Sequence, residues 1–294
     1  MGNRAKGNLL LLSAAAIWGF AFVAQRDGMN HLGPLIFNGI RFILGALTVL
    51  FLLAFDRKTG YQELFSSKTL LLHGLMAGLA LFFASGFQQI GIKYTTAGNA
   101  GFITSLYIFF VPIIGLFRRL RYSWKTWAGA LIAIPGLYLL SGSKGGLHLE
   151  FGDLLVMISA VFWAFHLIIL DLVAPRHDYR HLAFLQFFVA GILSLIPGIL
   201  FELPQTGQLS AAWLTLIYTG IFSAGLGFTF QVAGQRHLPA NHAALILSLE
   251  AVFALIGGFL ILHESMTIRQ MAGAALMLTG VMFSQMAPVQ RRNE

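Results

Sequence analysis

The chain has 294 residues, 57% of them hydrophobic and only 10% charged, where soluble domains carry about a quarter charged. With a mean hydropathy of +0.77, the bilayer rather than an internal core is the solvent for most side chains. The formal charge of +8 would suit nucleic-acid binding only if its placement allowed it, and the absence of cysteine excludes disulfides, thiolate metal sites and cysteine nucleophiles.

A helix needs about 20 apolar residues to cross the hydrocarbon core, and runs near that length recur between short polar breaks along the whole sequence. The first, residues 8–25, follows Arg4 and Lys6 as a signal peptide would. Further apolar spans succeed it at once, so it reads as a first membrane helix and not as a cleaved leader. The other predicted spans are 34–54, 69–91, 96–117 and 124–141, then 153–174, 181–203, 211–235, 241–262 and 267–286. Continuous apolarity without period-two alternation favours helices over a barrel.

Lys and Arg are enriched in cytoplasmic loops. With the N-terminus inside, fourteen basic residues fall on the cytoplasmic side: Arg4, Lys6, Arg57, Lys58, Lys68, Arg118, Arg119, Arg121, Lys125, Arg176, Arg180, Arg236, Arg291 and Arg292. Only Arg26, Lys93, Lys144 and Arg269 fall opposite, and Arg41 lies within a span. Both termini are therefore expected in the cytoplasm of a prokaryotic cell, with the chain in its plasma (inner) membrane. The charge is accounted for by anionic lipid, which leaves nucleic acid without support as a partner.

Laying residues 1–148 over the remainder gives matches at a nearly constant offset, the mark of an old duplication. Trp18 falls on Trp163 and Arg41-Phe42 on Gln186-Phe187. Gln88, Ala100, Ser105, Leu106 and Gly115 fall on Gln231, Ala243, Ser248, Leu249 and Gly258, and Gly129 and Gly136 on Gly273 and Gly280. Five helices make an odd number of crossings, so a second copy must insert upside down. The expected fold is an all-α integral membrane protein of ten transmembrane helices in two inverted five-helix repeats, 1–148 and 149–294.

Ile17-Trp18-Gly19-Phe20-Ala21-Phe22-Val23 in the first span and Ile40-Arg41-Phe42-Ile43-Leu44-Gly45-Ala46 in the second resemble helix motifs of the drug/metabolite transporter superfamily, in its EamA-like branch. The stretch His242 to Val281 carries the most specific likeness, with Ser248-Leu249-Glu250, Gly257-Gly258, Glu264 and Gly273 to Val281 in the expected order. Ala251 stands where a proline commonly follows the glutamate, so no proline kink is expected in the ninth helix, whereas the fourth keeps Pro112. The resemblance implies a secondary transporter, an exporter or permease of small metabolites, amino acids or drugs, working by alternating access without a cofactor. A channel-like facilitator and a membrane receptor or scaffold are the alternatives.

Ionisable groups inside spans are costly and mark a pathway or a pair. Arg41 lies about 10 Å into the second helix from the outer end and Glu250 about 14 Å into the ninth from the inner end, at 1.5 Å per residue. Two readings follow: a structural ion pair, or contact of Glu250 with a proton or substrate while Arg41 serves the scaffold. Trp18 and Trp163 fall near the midplane, away from the interfacial belts that tryptophan prefers, as cavity walls or as packing; Phe22 joins them as a wall residue. Tyr107, Ser105 and Ser248 share that depth and can hydrogen-bond a substrate, although small hydroxyls also serve helix packing. His166 and Gln186, on the cytoplasmic half of helices 6 and 7, either orient a ligand or are merely hydrogen-bonded. Gln88, Gln89 and Gln231 read as rim residues near helix ends, Gly74 and Gly78 as a packing motif, and Pro112, Pro135 and Pro197 as candidate hinges.

Enzyme signatures do not emerge. His263-Glu264-Ser265-Met266-Thr267 lacks a second histidine, no GxSxG elbow or P-loop occurs, and the nine histidines are scattered over both faces. The partners implied are a small-molecule substrate, the lipid bilayer and a proton as coupling ion.

Overall fold

The computed structural model describes residues 2–55, 64, 67–95, 97–117, 122–140, 150–261 and 267–286. Arg57, Lys58, Arg118, Arg119, Arg121, Lys144, Arg291 and Arg292 of the basic count, and the stretch His263-Glu264-Ser265-Met266, lie outside the described residues. Without water in the bilayer core, every backbone polar group must be satisfied within its own segment, so continuous apolar runs fold as helices. Ten helical rods result among the described residues: α1 Asn3–Gly28, α2 Pro34–Ala54, α3 Lys68–Tyr94, α4 97–117, α5 Trp124–Leu140, α6 Phe151–Val173, α7 Tyr179–Phe201, α8 Trp213–Gln235, α9 240–261 and α10 Ile268–Gln285. Eight of them, all but α5 and α10, are long and apolar enough to cross a membrane.

Three rods are irregular, and the irregularities do not fall where prolines lead one to expect them. Helix α4 is split into Ala97–Ser105 and Tyr107–Phe117, while Pro112 lies inside the second piece. Helix α9 is split into Ala240–Leu247 and Glu250–Ile261 although no proline is present. The cause is local hydrogen bonding. Leu106 N donates to Ile103 O and Leu249 N to Ile246 O, each at 3.1 Å, tightening the turn to an i→i−3 pattern. In α9, Ser248 Oγ also donates back to Leu245 O at 2.9 Å, which draws that carbonyl off the helix ladder. The third irregular rod, α8, opens into a π-helix over Tyr218–Phe228. Pro135 and Pro197 sit within continuous helices α5 and α7.

The surface is apolar, and the interior, itself largely apolar, also holds polar and charged groups. Phe51, Phe117, Leu200, Phe201 and Met282 are exposed, whereas Arg41, Gln88, His166, Gln186 and Glu250 are buried. With lipid as solvent there is little hydrophobic gain from pairing helices, so association depends on close contact. Glycine provides it. A β-carbon on Gly7 would lie 3.1 Å from the Gly234 carbonyl oxygen, and one on Gly91 only 2.8 Å from that of Gly152. These contacts join α1 to α8 and α3 to α6. Helices α5 and α10 pair in the same way, Gly129 against Gly280 at 2.6 Å and Gly136 against Gly273 at 2.7 Å. Glu202, after α7, accepts from Leu35 N and Ile36 N at 2.7 and 3.0 Å, placing a carboxylate at the N-terminus of α2.

Candidate functional site

The tryptophans of α1 and α6 converge on one ring. Trp18 and Trp163 lie 4.5 and 5.7 Å from the centroid of Phe228 on α8. Trp18 Nε1 donates to the Ser223 carbonyl at 3.1 Å, in the π-helical stretch. Gly227 leaves the room for this, since a β-carbon there would come within 2.6 Å of Nε1. Phe228 also meets Phe187 of α7 and Phe42 of α2, both at 6.0 Å. The result is an aromatic wall contributed by five different elements, fixed by ring contacts rather than by one rotamer.

Beside this wall lies a cavity lined by fourteen residues. Its lining follows the internal sequence match. Trp18 faces it with Trp163, Phe22 with Leu167, Gln88 with Gln231, Thr104 with Leu247 and Tyr107 with Glu250, each couple standing at equivalent positions of the two halves. The remaining lining residues are Gln25, Arg41, Ser223 and Phe228. Tyr107 and Glu250 each begin the helical piece after the break in α4 and in α9, so the two interruptions place these side chains. Discontinuous helices that meet at a central site are a recurring way to present polar groups inside a membrane.

Tyr107 donates its hydroxyl to Glu250 Oε1 at 3.3 Å. Arg41 makes no ion pair with Glu250 or with any other carboxylate among the described residues, and its Nε has no hydrogen-bond partner. The guanidinium instead lies 4.8 Å from the ring centroid of Phe42. The ion-pair reading of Arg41 and Glu250 is thus not what the fold builds: both side chains face the same cavity, unpaired with each other.

Of the residues singled out from sequence, Trp18, Phe22, Arg41, Tyr107, Trp163 and Glu250 line the cavity. His166 does not. It packs edge-on behind Trp163 and Phe228, with Nε2 2.9 Å from Gln186 Oε1, so both residues form a polar contact behind the aromatic wall. Ser248 is consumed by the helix break. Ser105 is buried within reach of the Glu250 carboxylate. Gln88 and Gln231 reach the cavity and not a rim, and Gln25, Thr104, Leu167, Ser223, Phe228 and Leu247 were not singled out. The repeat match carried a usable signal for Leu167, which stands opposite Phe22. Nothing local marks Phe228, whose role depends on the π-helical turn. No group of three or more potential metal ligands occurs among the described residues.

Apolar rods around a buried, partly polar cavity, with no soluble domain among the described residues, define a polytopic helical membrane protein. The sequence profile of the EamA-like transporter family matches residues 5–142 and again residues 150–286, and the chain belongs to that family. An Archaeoglobus fulgidus protein named "Uncharacterized transporter" is 32% identical over 281 residues, covering 95% of this chain and 85% of the relative. A Salmonella typhimurium protein named "Probable amino-acid metabolite efflux pump" is 27% identical over 293 residues, covering 94% and 93%. A crystal structure at 19% identity superposes with a TM-score of 0.80 over 96% of each chain, a likeness of fold.

Proposed function

We propose that the protein is a secondary transporter that exports small, partly apolar metabolites, amino acids or drugs across the plasma membrane by alternating access. The observation that carries this reading is the composition of the cavity: ten of its fourteen lining residues come as five couples from equivalent positions of the two halves. Such a site lies on the axis relating two repeats, where rocking of one repeat against the other opens it to either side in turn. The repeats are residues 1–148 and 149–294, inverted, with α5 and α10 supplying the ninth and tenth crossings. Their mutual glycine contacts, Gly129 with Gly280 and Gly136 with Gly273, are those expected of helices related by a two-fold axis. The basic bias supports cytoplasmic termini. The name of the Salmonella relative supports export and an amino-acid-like cargo. Glu250, buried and accepting from the Tyr107 hydroxyl, is the candidate for a coupling proton.

The test is reconstitution in liposomes with labelled amino acids, nucleosides and cationic drugs, with and without a pH gradient. Saturable flux of at least one compound is expected, accelerated by the gradient and reduced in Trp163→Ala and Tyr107→Ala proteins that insert normally. Absence of flux for the whole panel refutes transport. Unsaturable conductance refutes the carrier mechanism in favour of a channel.

A further inference from the structure

The two halves meet along two seams that the internal sequence match makes equivalent. Helix α3 packs on α6 through Gly91 and Gly152, and α8 on α1 through Gly234 and Gly7. A β-carbon on Gly91 would lie 2.6 Å from Val156 Cγ2, and one on Gly234 2.8 Å from Cγ of Leu11, which stands at the position of Val156. The ends of the seams differ. At the outer end of α3 and α6, the buried Thr95 hydroxyl donates to the buried Asp153 carboxylate. Leu238 and Asn8 hold the equivalent positions at the inner end of α8 and α1, and leucine has no hydroxyl to give. At the inner end of α3 and α6, His73 Nδ1 and His177 Nε2 share a hydrogen bond of 2.7 Å. Their counterparts at the outer end of α8 and α1 are Leu216 and Leu32, two members of one apolar cluster. Helices α1 and α8 are hydrogen-bonded near the middle instead, where Trp18 Nε1 donates to Ser223 O at 3.1 Å and the Tyr218 hydroxyl to Ile17 O at 3.0 Å.

In lipid the hydrophobic gain from pairing helices is small, so polar ties and close contact decide which helices hold together. A buried tie that breaks leaves its groups unsatisfied. We infer that the two seams move unequally: α3 and α6 stay joined throughout, while α1 and α8 part at one end and then at the other, rocking about the contacts of Trp18 and Tyr218. This rests on the transport reading above and on its topology. Ties within each half select the arms that swing. Arg26, at the outer end of α1, donates to Thr95 O at 2.6 Å and to Ile92 O, holding that end to α3. Gln235 Nε2, at the inner end of α8, donates to Leu167 O at 2.9 Å, holding that end to α6. The arms left to move are the inner part of α1, where the exposed Arg4 reaches the Gln285 carbonyl of α10, and the outer part of α8. The π-helix over Tyr218–Phe228 lies between the two parts of α8 and gives that helix a joint, because it departs from the regular hydrogen-bond ladder. Both helices flank the cavity, α1 with Trp18, Phe22 and Gln25, and α8 with Ser223, Phe228 and Gln231.

The chain has no cysteine, so single introduced cysteines report on each seam in the full-length protein. Leu11 and Val156 are equivalent and fully buried, each against the glycine of its own seam. In liposomes, Leu11→Cys is expected to react with a hydrophilic maleimide at least about tenfold faster than Val156→Cys, because side-chain hydrogen bonds close the ends of the α3–α6 seam and leucines those of the other. Leu216→Cys should react from the outer face. In the Gly7→Cys/His237→Cys protein the two β-carbons stand 3.1 Å apart, so an oxidant can join them; flux should stop on oxidation and return on reduction. Bridging His73→Cys to His177→Cys with a short reducible thiosulfonate linker should leave flux as it was. Equal reactivity of Leu11→Cys and Val156→Cys overturns the inference, since a motion symmetric between the halves demands it. So does flux that survives oxidation of the Gly7→Cys/His237→Cys protein, or that stops when the linker bridges the other pair. Absence of flux for every compound removes the transport reading, and the labelling rates of the ligand-free protein then decide between the seams by themselves.

Discussion

Gly227→Ala offers a direct measure of how tightly the aromatic wall is held. The added β-carbon would stand 2.6 Å from Trp18 Nε1, and ordinary contact begins at 3.4 Å, so the indole must retreat by about 0.8 Å. It has no free path, because Phe228 lies at 4.5 Å and the N–H is anchored to Ser223 O at 3.1 Å. Overpacking of this kind costs about 1–3 kcal/mol, and loss of the hydrogen bond adds about 1 kcal/mol. Replacing a helical glycine by alanine returns about 0.5–1 kcal/mol. The net expectation is a loss of about 1–3 kcal/mol, read as a lower midpoint when detergent-solubilised protein is melted under tryptophan fluorescence. In the double variant with Trp18→Phe the colliding nitrogen is gone, so the two changes should be less than additive by about 1 kcal/mol. A Gly227→Ala protein as stable as the wild type, or strict additivity in the double variant, would refute the reasoning.

Ala251→Pro should cost only about 1 kcal/mol, for the lost hydrogen bond from the Ala251 N–H to Ser248 O at 3.2 Å, because position 251 lies in the first turn after the break in α9, where the backbone angle of proline is accommodated. Ala254→Pro, one turn further into that helix, should cost about 3 kcal/mol or more; melting of the two variants side by side gives the answer, and equal damage would contradict the break. A pH dependence is expected from His177, which follows α6 and places Nε2 2.7 Å from Nδ1 of His73. Burial, and then the neighbouring His73 and Arg176, hold its pKa below the ordinary value of 6.5. The unfolded chain therefore takes up the proton first as pH falls, so the contribution is complete above about pH 6.5 and is lost as pH drops towards the lowered value. The midpoint of the wild type should decline more steeply than that of His177→Asn between about pH 7.5 and 5.5; parallel curves would show that the histidine contact is immaterial.

The helical, membrane-embedded character of the chain was legible without coordinates, because continuous apolarity over about 20 residues has one stable outcome in lipid. The midplane depths of Trp18, Tyr107, Trp163 and Glu250 could likewise be counted along each span, and all four line the cavity. Depth is a one-dimensional property, however, and a membrane helix is apolar on every side. No amphipathic stripe tells which face turns inward, so His166 was as plausible a wall residue as Trp163, yet it packs behind the wall against Gln186. Gln88 was placed at a rim by a span ending at residue 91. The helix runs on to Tyr94, which carries Gln88 deeper, and its amide finds Thr104. The break in α9 was missed for a similar reason: the interruption arises from the Ser248 back-bond and a tightened turn at Leu249, which depend on geometry that a proline count does not register. Arg41 and Glu250 show the division most clearly. Their matched depth followed from the sequence, but whether two charges at one depth pair or face a common space depends on the rotation of α2 and α9 about their axes, and only the packed bundle decides that.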